Sequence, residues 1–193
     1  SPKTSAICAG QTQVVSGIFG GSATQVSYSS SGAGTFSSPL ASASPFNVTY
    51  TPSTADITVG TVTLYATTNN PLGSPCSVRI DSFTLNINPV PIATASNTGP
   101  YCEGSTISLV GGVNGLASYA WSGPNAYANG TQSPSISSST PTMSGVYTIT
   151  VTDASSCTAT ATTTVEVNPL PQISAVATNT ICTANNGIVV VTV

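Results

Sequence analysis

The residues that could perform acid–base or nucleophilic chemistry are few in this chain of 193 residues, and they are scattered along it. Only 4% of the residues are charged, and histidine is absent, whereas globular proteins carry about 25% charged residues. Acid–base and nucleophilic mechanisms need one titratable group placed beside another. We therefore predict that the chain is not an enzyme and holds no cofactor. The charged residues are Asp56, Asp81, Glu103, Asp153, Glu166, Lys3 and Arg79.

The composition also excludes two classes of partner. Two positive charges cannot neutralise a nucleic-acid backbone, so we expect no nucleic-acid binding. No apolar run approaches the roughly 20 residues of a membrane-spanning helix, so we expect no membrane insertion by this segment. The chain is still 39% hydrophobic with a mean hydropathy of +0.25, which is enough to build a buried core rather than a disordered segment.

The five cysteines mark an internal repeat. Three of them follow an aromatic or aliphatic residue and precede a small polar turn: Cys8, Cys102 and Cys182. A connector of the form Asn-Pro-X-Pro, at 88–91 and 168–171, precedes the second and third of these. The pattern predicts one module over residues 1–90, a second over 91–170, and the beginning of a third over 171–193.

The repeat also suggests how the cysteines pair. Cys76 and Cys157 each lie shortly before a strand-like run that ends at a connector. We expect disulfides within modules, Cys8 with Cys76 and Cys102 with Cys157, and Cys182 unpaired within this segment. The alternative is free or metal-binding thiols, but structural metal sites use clustered ligands such as C-x2-C with histidine, so we predict no metal. Disulfides indicate an oxidising, extracytoplasmic compartment.

Alternation with a period of two dominates the hydrophobic pattern, and no window shows convincing helical periodicity. Thr158 to Val167 alternates apolar or small residues with polar ones, and short runs of this kind are separated by turns rich in Gly, Pro and Ser. This spacing predicts an all-β fold of tandem β-sandwich modules. The run from Ser77 to Ile87 changes phase, which predicts a β-bulge near Asp81 and Ser82.

Several side chains are candidates for binding or for structural roles. Trp121 could stack on a sugar, but its place on an early strand, matching Tyr28, favours a core position. Tyr127 lies in a loop rich in Gly, Pro and Asn and is the better candidate for ligand contact. Asp56 and Asp153 could contribute to a calcium site, but each is more typical of a turn cap.

The sequence resembles immunoglobulin-like domains in Trp121 and in the stretch Ser144 to Tyr147, although its cysteine spacing departs from the antibody pattern. It is more similar to the tandem Ig-like and PKD-like repeats of giant Bacteroidetes-type surface adhesins. Residues 145–153 followed by 157–160 look like their commonest repeat ending. Residues 182–191 resemble the opening of the repeat named for the SprB gliding adhesin.

This resemblance implies an extracellular segment of a giant adhesin at the outer-membrane-associated cell surface, exported by type IX secretion and serving adhesion and gliding motility. Three functions are compatible with the residues. The segment is a disulfide-stapled stalk whose partners are neighbouring repeats of the same chain, a module that binds surface polysaccharide or another cell, or an accessory domain of a secreted hydrolase.

Overall fold

The computed structural model describes residues 3–74, 76–177 and 189–192, with the backbone alone for 175–177 and 189–192. This part of the chain is almost entirely β, with one short α-helix, which confirms the predicted all-β class. It divides into two compact units, one running up to Pro91 and including 152–159, the other formed by 92–151 and the chain from Thr160 onward. Among the described residues, no helix has the length and apolar character needed to cross a membrane.

The first unit is a sandwich of two sheets. One sheet has the strand order β1-β8-β7-β3-β5, with β1 parallel to β8, and the other has the order β2-β6-β4. The elements are β1 (Thr4–Cys8), β2 (Gln13–Gly17), β3 (Val26–Ser30), β4 (Thr35–Phe36), β5 (Leu40–Ala41), β6 (Phe46–Thr51), α1 (Thr54–Val59), β7 (Thr61–Thr68) and β8 (Ile80–Asn88).

Alternate residues of these strands fill the space between the two sheets. Tyr50 from β6 packs with Val62 and Leu64 of β7 and with Leu85 of β8, and all four are at most 2% exposed. A second cluster joins Tyr28 of β3 to residues of β6. Burial of alternate side chains from both sheets is what makes the period-two pattern stable as a sandwich.

The predicted β-bulge near Asp81 is wrong. The strands β7 and β8 pair without interruption from Thr61 opposite Asn86 to Thr67 opposite Ile80. Val78 precedes the strand, and Ile80, its first residue, lies on the exposed face opposite Leu85 and Ile87, so the phase change in the sequence needs no bulge.

The helix α1 was not predicted from the sequence. Ser53 caps its first turn by accepting a hydrogen bond from the backbone N–H of Asp56, and the Asp56 side chain accepts one from the backbone N–H of Ser53 in return. Gly60 ends the helix in the left-handed conformation, at φ 80°, which glycine adopts without the steric cost of a side chain.

The described residues of the second unit form four small sheets. Their strand orders are β10-β17, β14-β11-β9, β13-β12-β15-β16 and β18-β19. The first nine strands are β9 (Ala95–Asn97), β10 (Tyr101–Cys102), β11 (Ile107–Gly111), β12 (Ser118–Gly123), β13 (Tyr127–Asn129), β14 (Ser135–Ile136), β15 (Gly145–Thr152), β16 (Thr158–Val165) and β17 (Val167–Asn168). Short 3₁₀ turns lie at Pro124–Ala126 and Pro141–Met143.

Trp121 is a core residue of the second unit, as predicted. It is 2% exposed, and its indole N–H donates to the carbonyl of Gln132 at 3.1 Å. Ile107, Leu109 and Ile149 are also fully buried. The indole N–H is therefore satisfied inside the protein, and the burial of the ring leaves no face for sugar stacking.

The last described strands form a hairpin. The backbone of β18 (Ser174–Ala177) pairs antiparallel with β19 (Val189–Thr192). The third module over 171–193 stays a prediction, and Cys182 lies outside the described residues.

Candidate functional site

Cys8 is the last residue of β1, and β1 pairs in parallel with β8. It lies opposite Asn88 in the register, and the N–H of Ala9 donates to the Asn88 carbonyl at 2.8 Å. The chain then turns, with the N–H of Gln11 donating to the Cys8 carbonyl at 3.0 Å. This turn fixes the cysteine at the carboxyl end of β8.

Cys102 has the same backbone surroundings in the second module. It ends β10 opposite Asn168 in a parallel pair, and the N–H of Glu103 donates to the Asn168 carbonyl at 2.8 Å. The N–H of Ser105 donates to the Cys102 carbonyl at 3.1 Å. The two cysteines are therefore equivalent positions of one repeated structure.

Cys8 forms a disulfide with Cys157, with the two Cα atoms 5.6 Å apart, which is within the usual range. Cys157 is completely buried and follows a turn that Asp153 organises. The Asp153 carboxylate accepts hydrogen bonds from the N–H groups of Ser155 at 2.8 Å and Cys157 at 2.9 Å. Asp153 is thus a turn cap, as predicted.

The predicted pairs Cys8–Cys76 and Cys102–Cys157 are wrong, because Cys8 is bonded to Cys157, and Cys76 and Cys102 are exposed free thiols. The register explains the error. Cys8 lies beside Asn88, the last residue of β8, whereas Cys76 precedes the first residue of that strand. A nine-residue strand spans about 30 Å, far beyond the Cα separation of a disulfide.

Cys76 lies in the loop between β7 and β8, just as Cys157 lies in the loop between β15 and β16. The side-chain amide of Asn70 donates to the Cys76 carbonyl at 2.7 Å. Cys76 therefore precedes β8, and Cys8 lies opposite the last residue of that strand. Cys157 directly precedes β16, and Cys102 lies opposite the last residue of the following strand, β17.

Among the described residues, Asp56 is the charged residue whose side chain is buried, and it is 3% exposed. Its carboxylate accepts hydrogen bonds from the N–H of Ala33 at 3.0 Å, the hydroxyl of Tyr50 at 2.9 Å and the N–H of Ser53 at 2.9 Å. Burial alone would raise the pKa of Asp56, but these hydrogen bonds outweigh it, so its pKa lies below the usual value. The carboxylate is engaged in holding the turn, as predicted for a cap.

Tyr127 is half-buried in the structure. Its ring packs edge-on against Tyr147, with centroids 5.5 Å apart. Its hydroxyl is buried without a hydrogen-bond partner among the described residues, and burial raises its pKa. The side chain therefore packs against the second unit's core, and its predicted ligand contact stays a prediction.

A cavity of about 670 Å³ opens between the sheets of the first unit. Sequence reasoning missed it, although three of the chain's seven charged residues line it. One of the lining residues, the apolar Ile18, is 82% exposed. Apolar lining with a few polar groups is typical of ligand sites. The lining includes Val14, Ile18, Phe19, Phe46, Lys3, Arg79 and Asp81.

Comparisons with known proteins give similarity of fold only. No protein-family model and no curated protein matches the sequence. Among solved structures the chain is similar to the amphioxus IgVJ-C2 molecule, with 14% identity, a TM-score of 0.34, and coverage of 83% of this chain and 98% of that one. It is also similar to IG1+IG2 of DIP-gamma, with 10% identity, a TM-score of 0.38, and coverage of 86% and 93%.

A third similar structure is the N-terminal four Ig domains of Dscam1 isoform 6.9, with 11% identity and a TM-score of 0.33. The match covers 86% of this chain and 43% of that one. At such values these likenesses carry no argument about function, and the sandwich of the first unit is defined by its own strand pairing and shared core.

Proposed function

We propose that the chain is a structural repeat segment of a large secreted cell-surface adhesin, where it serves adhesion and gliding motility as a disulfide-stapled stalk. The observation that carries this proposal is the disulfide between Cys8 and Cys157, which joins residues 149 positions apart. It ties the end of β1 to the loop between β15 and β16, and both belong to the first compact unit. A covalent tie of this kind suits a protein whose task is to transmit force.

The connectors and the compartment support the same role. Pro89 and Pro91 in one connector, and Pro169 and Pro171 in the other, restrict the backbone, and proline-rich segments act as semi-rigid spacers. A disulfide is typical of an extracytoplasmic protein. Exposure at an outer-membrane-associated cell surface and export by type IX secretion belong to the proposal through the resemblance to giant adhesins.

The proposal includes the absence of enzymatic activity. Four of the seven charged side chains have structural partners, since Asp56 and Asp153 cap turns and Lys3 forms an exposed ion pair with Asp81. An acid–base mechanism needs paired titratable groups around a substrate position. We expect the partners to be neighbouring repeats of the same chain.

A replacement experiment tests the stalk. Residues 1–170 in the parent protein would be exchanged for an unrelated tandem β-sandwich segment of equal length, and surface display, adhesion and gliding would be measured. A stalk predicts that all three are retained, whereas deletion of the segment shortens the protein and reduces adhesion. Loss of adhesion with normal display in the exchanged protein would contradict the stalk.

The cavity in the first unit favours a second candidate function, a module that binds surface polysaccharide or another cell. Its apolar wall includes Phe19, and Arg79 and Asp81 offer hydrogen bonds to a polar ligand. Binding of the purified chain to a glycan array would support this candidate. The effects of Phe19→Ala and Tyr127→Ala on the signal would then locate the contact, in the cavity or at the predicted tyrosine.

A further inference from the structure

The two basic residues of the chain, Lys3 and Arg79, both line the cavity in the first unit. The fold brings them together because β1 begins beside β8, where the N–H of Thr84 donates to the Lys3 carbonyl at 3.0 Å. Lys3 forms an ion pair with Asp81, whereas Arg79 has no acidic partner among the described residues. The lining therefore carries one uncompensated positive charge, in a chain whose formal net charge is −3.

The inward face of β8 changes from apolar to charged where it reaches this cavity. Leu85 and Phe83 pack in the core between the sheets, and Asp81 and Arg79 precede them at the same period of two. Asp81 lies opposite Ala66, which also packs against the core. Because β8 is an interior strand, paired with β1 on one side and β7 on the other, these charges are not needed to keep an open edge from pairing. Binding of a polar group at the cavity would account for them.

The other sheet of the first unit contributes apolar side chains to the same cavity. Val15 of β2 and Phe46 of β6 line it together with Phe19, which follows β2, and the rings of Phe19 and Phe46 stack with centroids 6.4 Å apart. The volume of about 670 Å³ lies within the range of about 300–1,000 Å³ that small-ligand sites have. Apolar walls with one uncompensated cation are the complement of an amphiphile that carries one negative charge.

We propose that the cavity binds a small amphiphile with one alkyl chain and one carboxylate. The chain lies between the two sheets, where burial of its apolar surface favours binding, and the carboxylate is bound by the Arg79 guanidinium, whose paired N–H donors match the two carboxylate oxygens. Lys3 is already paired with Asp81, so Arg79 is the cation that selects the head group. The site goes beyond the stalk and does not depend on it, and the replacement experiment tests the stalk separately.

A series of head groups on one alkyl chain tests the site. The purified chain would be titrated with decanoate, decanol and decylammonium at pH 7.5 in a calorimeter. We expect decanoate to bind about fivefold more tightly than decanol, because its charge is paired with an exposed guanidinium, and decylammonium to bind most weakly. Octanoate should bind about tenfold more weakly than decanoate, because two fewer methylene groups are buried.

Three charge variants locate the head group. Arg79→Gln should bring the preference for decanoate over decanol down to about one. Asp81→Asn releases Lys3 from its ion pair, so the preference for decanoate should rise. Glu166→Gln is the matched control, because it also removes one negative charge but lies in the second unit, and it should keep the original preference.

A cavity-filling variant locates the alkyl chain. Ala66→Leu adds apolar volume to the lining and should weaken decanoate and decanol alike, with its fold checked by tyrosine near-ultraviolet circular dichroism. If Ala66→Leu does not fold, the charge variants still decide the question. Absence of decanoate binding, equal affinities for the three head groups, or an unchanged preference in Arg79→Gln would each overturn the proposal.

Discussion

In each unit the chain crosses from one sheet to another at a corresponding point, but different side-chain hydrogen bonds hold the crossing segment. In the first unit the chain passes from β6 to β7 through α1, and the buried carboxylate of Asp56 gathers donors from three segments. In the second unit it passes from β14 to β15 through a 3₁₀ turn, and the hydroxyl of Tyr147 donates to the carbonyl of Met143 at 3.0 Å. The second arrangement is the tyrosine corner of immunoglobulin-like sandwiches.

The comparison shows that one crossing depends on a buried charge and the other on a neutral hydrogen bond. A buried carboxylate stabilises the folded state strongly when all its hydrogen bonds are formed. Removing the carboxylate leaves every one of its donors unsatisfied. A single hydroxyl contributes about 1 kcal/mol. The first unit should therefore be the more sensitive to substitution at its crossing and to acid.

Asp56→Ala should have the largest effect. It removes the acceptor of three hydrogen bonds in a buried site, and we expect a loss of about 3 kcal/mol or more in the free energy of unfolding. Denaturant unfolding followed by tyrosine near-ultraviolet circular dichroism measures it. The fluorescence of Trp121, the single tryptophan and a core residue of the second unit, reports whether that core keeps its native environment.

An unchanged midpoint in Asp56→Ala would contradict the role given to the buried carboxylate. A native tryptophan spectrum is expected before denaturant is added. A spectrum shifted in the folded variant would show instead that the two crossings are not separate.

Gly32→Ala should have the next largest effect. A methyl group on Gly32 would overlap the carboxylate of Asp56 and meet Val62, so we expect a loss of about 1–3 kcal/mol from overpacking. Gly20→Ala is the matched control, because a methyl group there meets no atom within 4 Å. Equal midpoints for the two variants in denaturant would contradict the close packing around Asp56.

Tyr147→Phe should lower the free energy of unfolding by a smaller amount. It removes only the hydroxyl that donates to Met143, and we expect about 1 kcal/mol. Tyr127→Phe, which alters the neighbouring ring, is the control. Its hydroxyl is buried and has no hydrogen-bond partner in the described part of the chain, so its removal should be neutral or slightly stabilising. Trp121 fluorescence during unfolding measures both, and a larger cost for Tyr127→Phe would reverse the assignment.

The sequence predicted the sandwich and the core tryptophan because strand alternation and aromatic placement are local patterns. It missed α1 because six residues are too few to show a 3.6-residue period. The signal that could have revealed the helix was Ser53 three residues before Asp56, followed by Gly60. The cysteine pairing was wrong because spacing locates a cysteine in a module but does not tell which end of a strand it occupies.

The smallest expected effect is the acid sensitivity of the first crossing. The folded-state pKa of Asp56 lies below its ordinary value, so its stabilisation is complete above the unfolded-state pKa, near 4. It is lost as the pH falls through the lower folded-state pKa. Unfolding free energies measured from pH 6 downward should decline less steeply in Asp56→Asn. Parallel declines would exclude Asp56 as a source of the acid sensitivity.

The disulfide is the central claim, and a single proteolytic cut tests it. Trypsin cleaves after Arg79, which is exposed and is the one basic residue beyond Lys3. The cut separates Cys8 and Cys76 from Cys102 and Cys157. After free thiols are alkylated and the protein is denatured, a Cys8–Cys157 bond predicts that 4–79 and 80–193 stay linked until reductant is added, and that Cys8→Ser releases them. Separation of the two fragments without reductant in the unmodified chain would contradict the account.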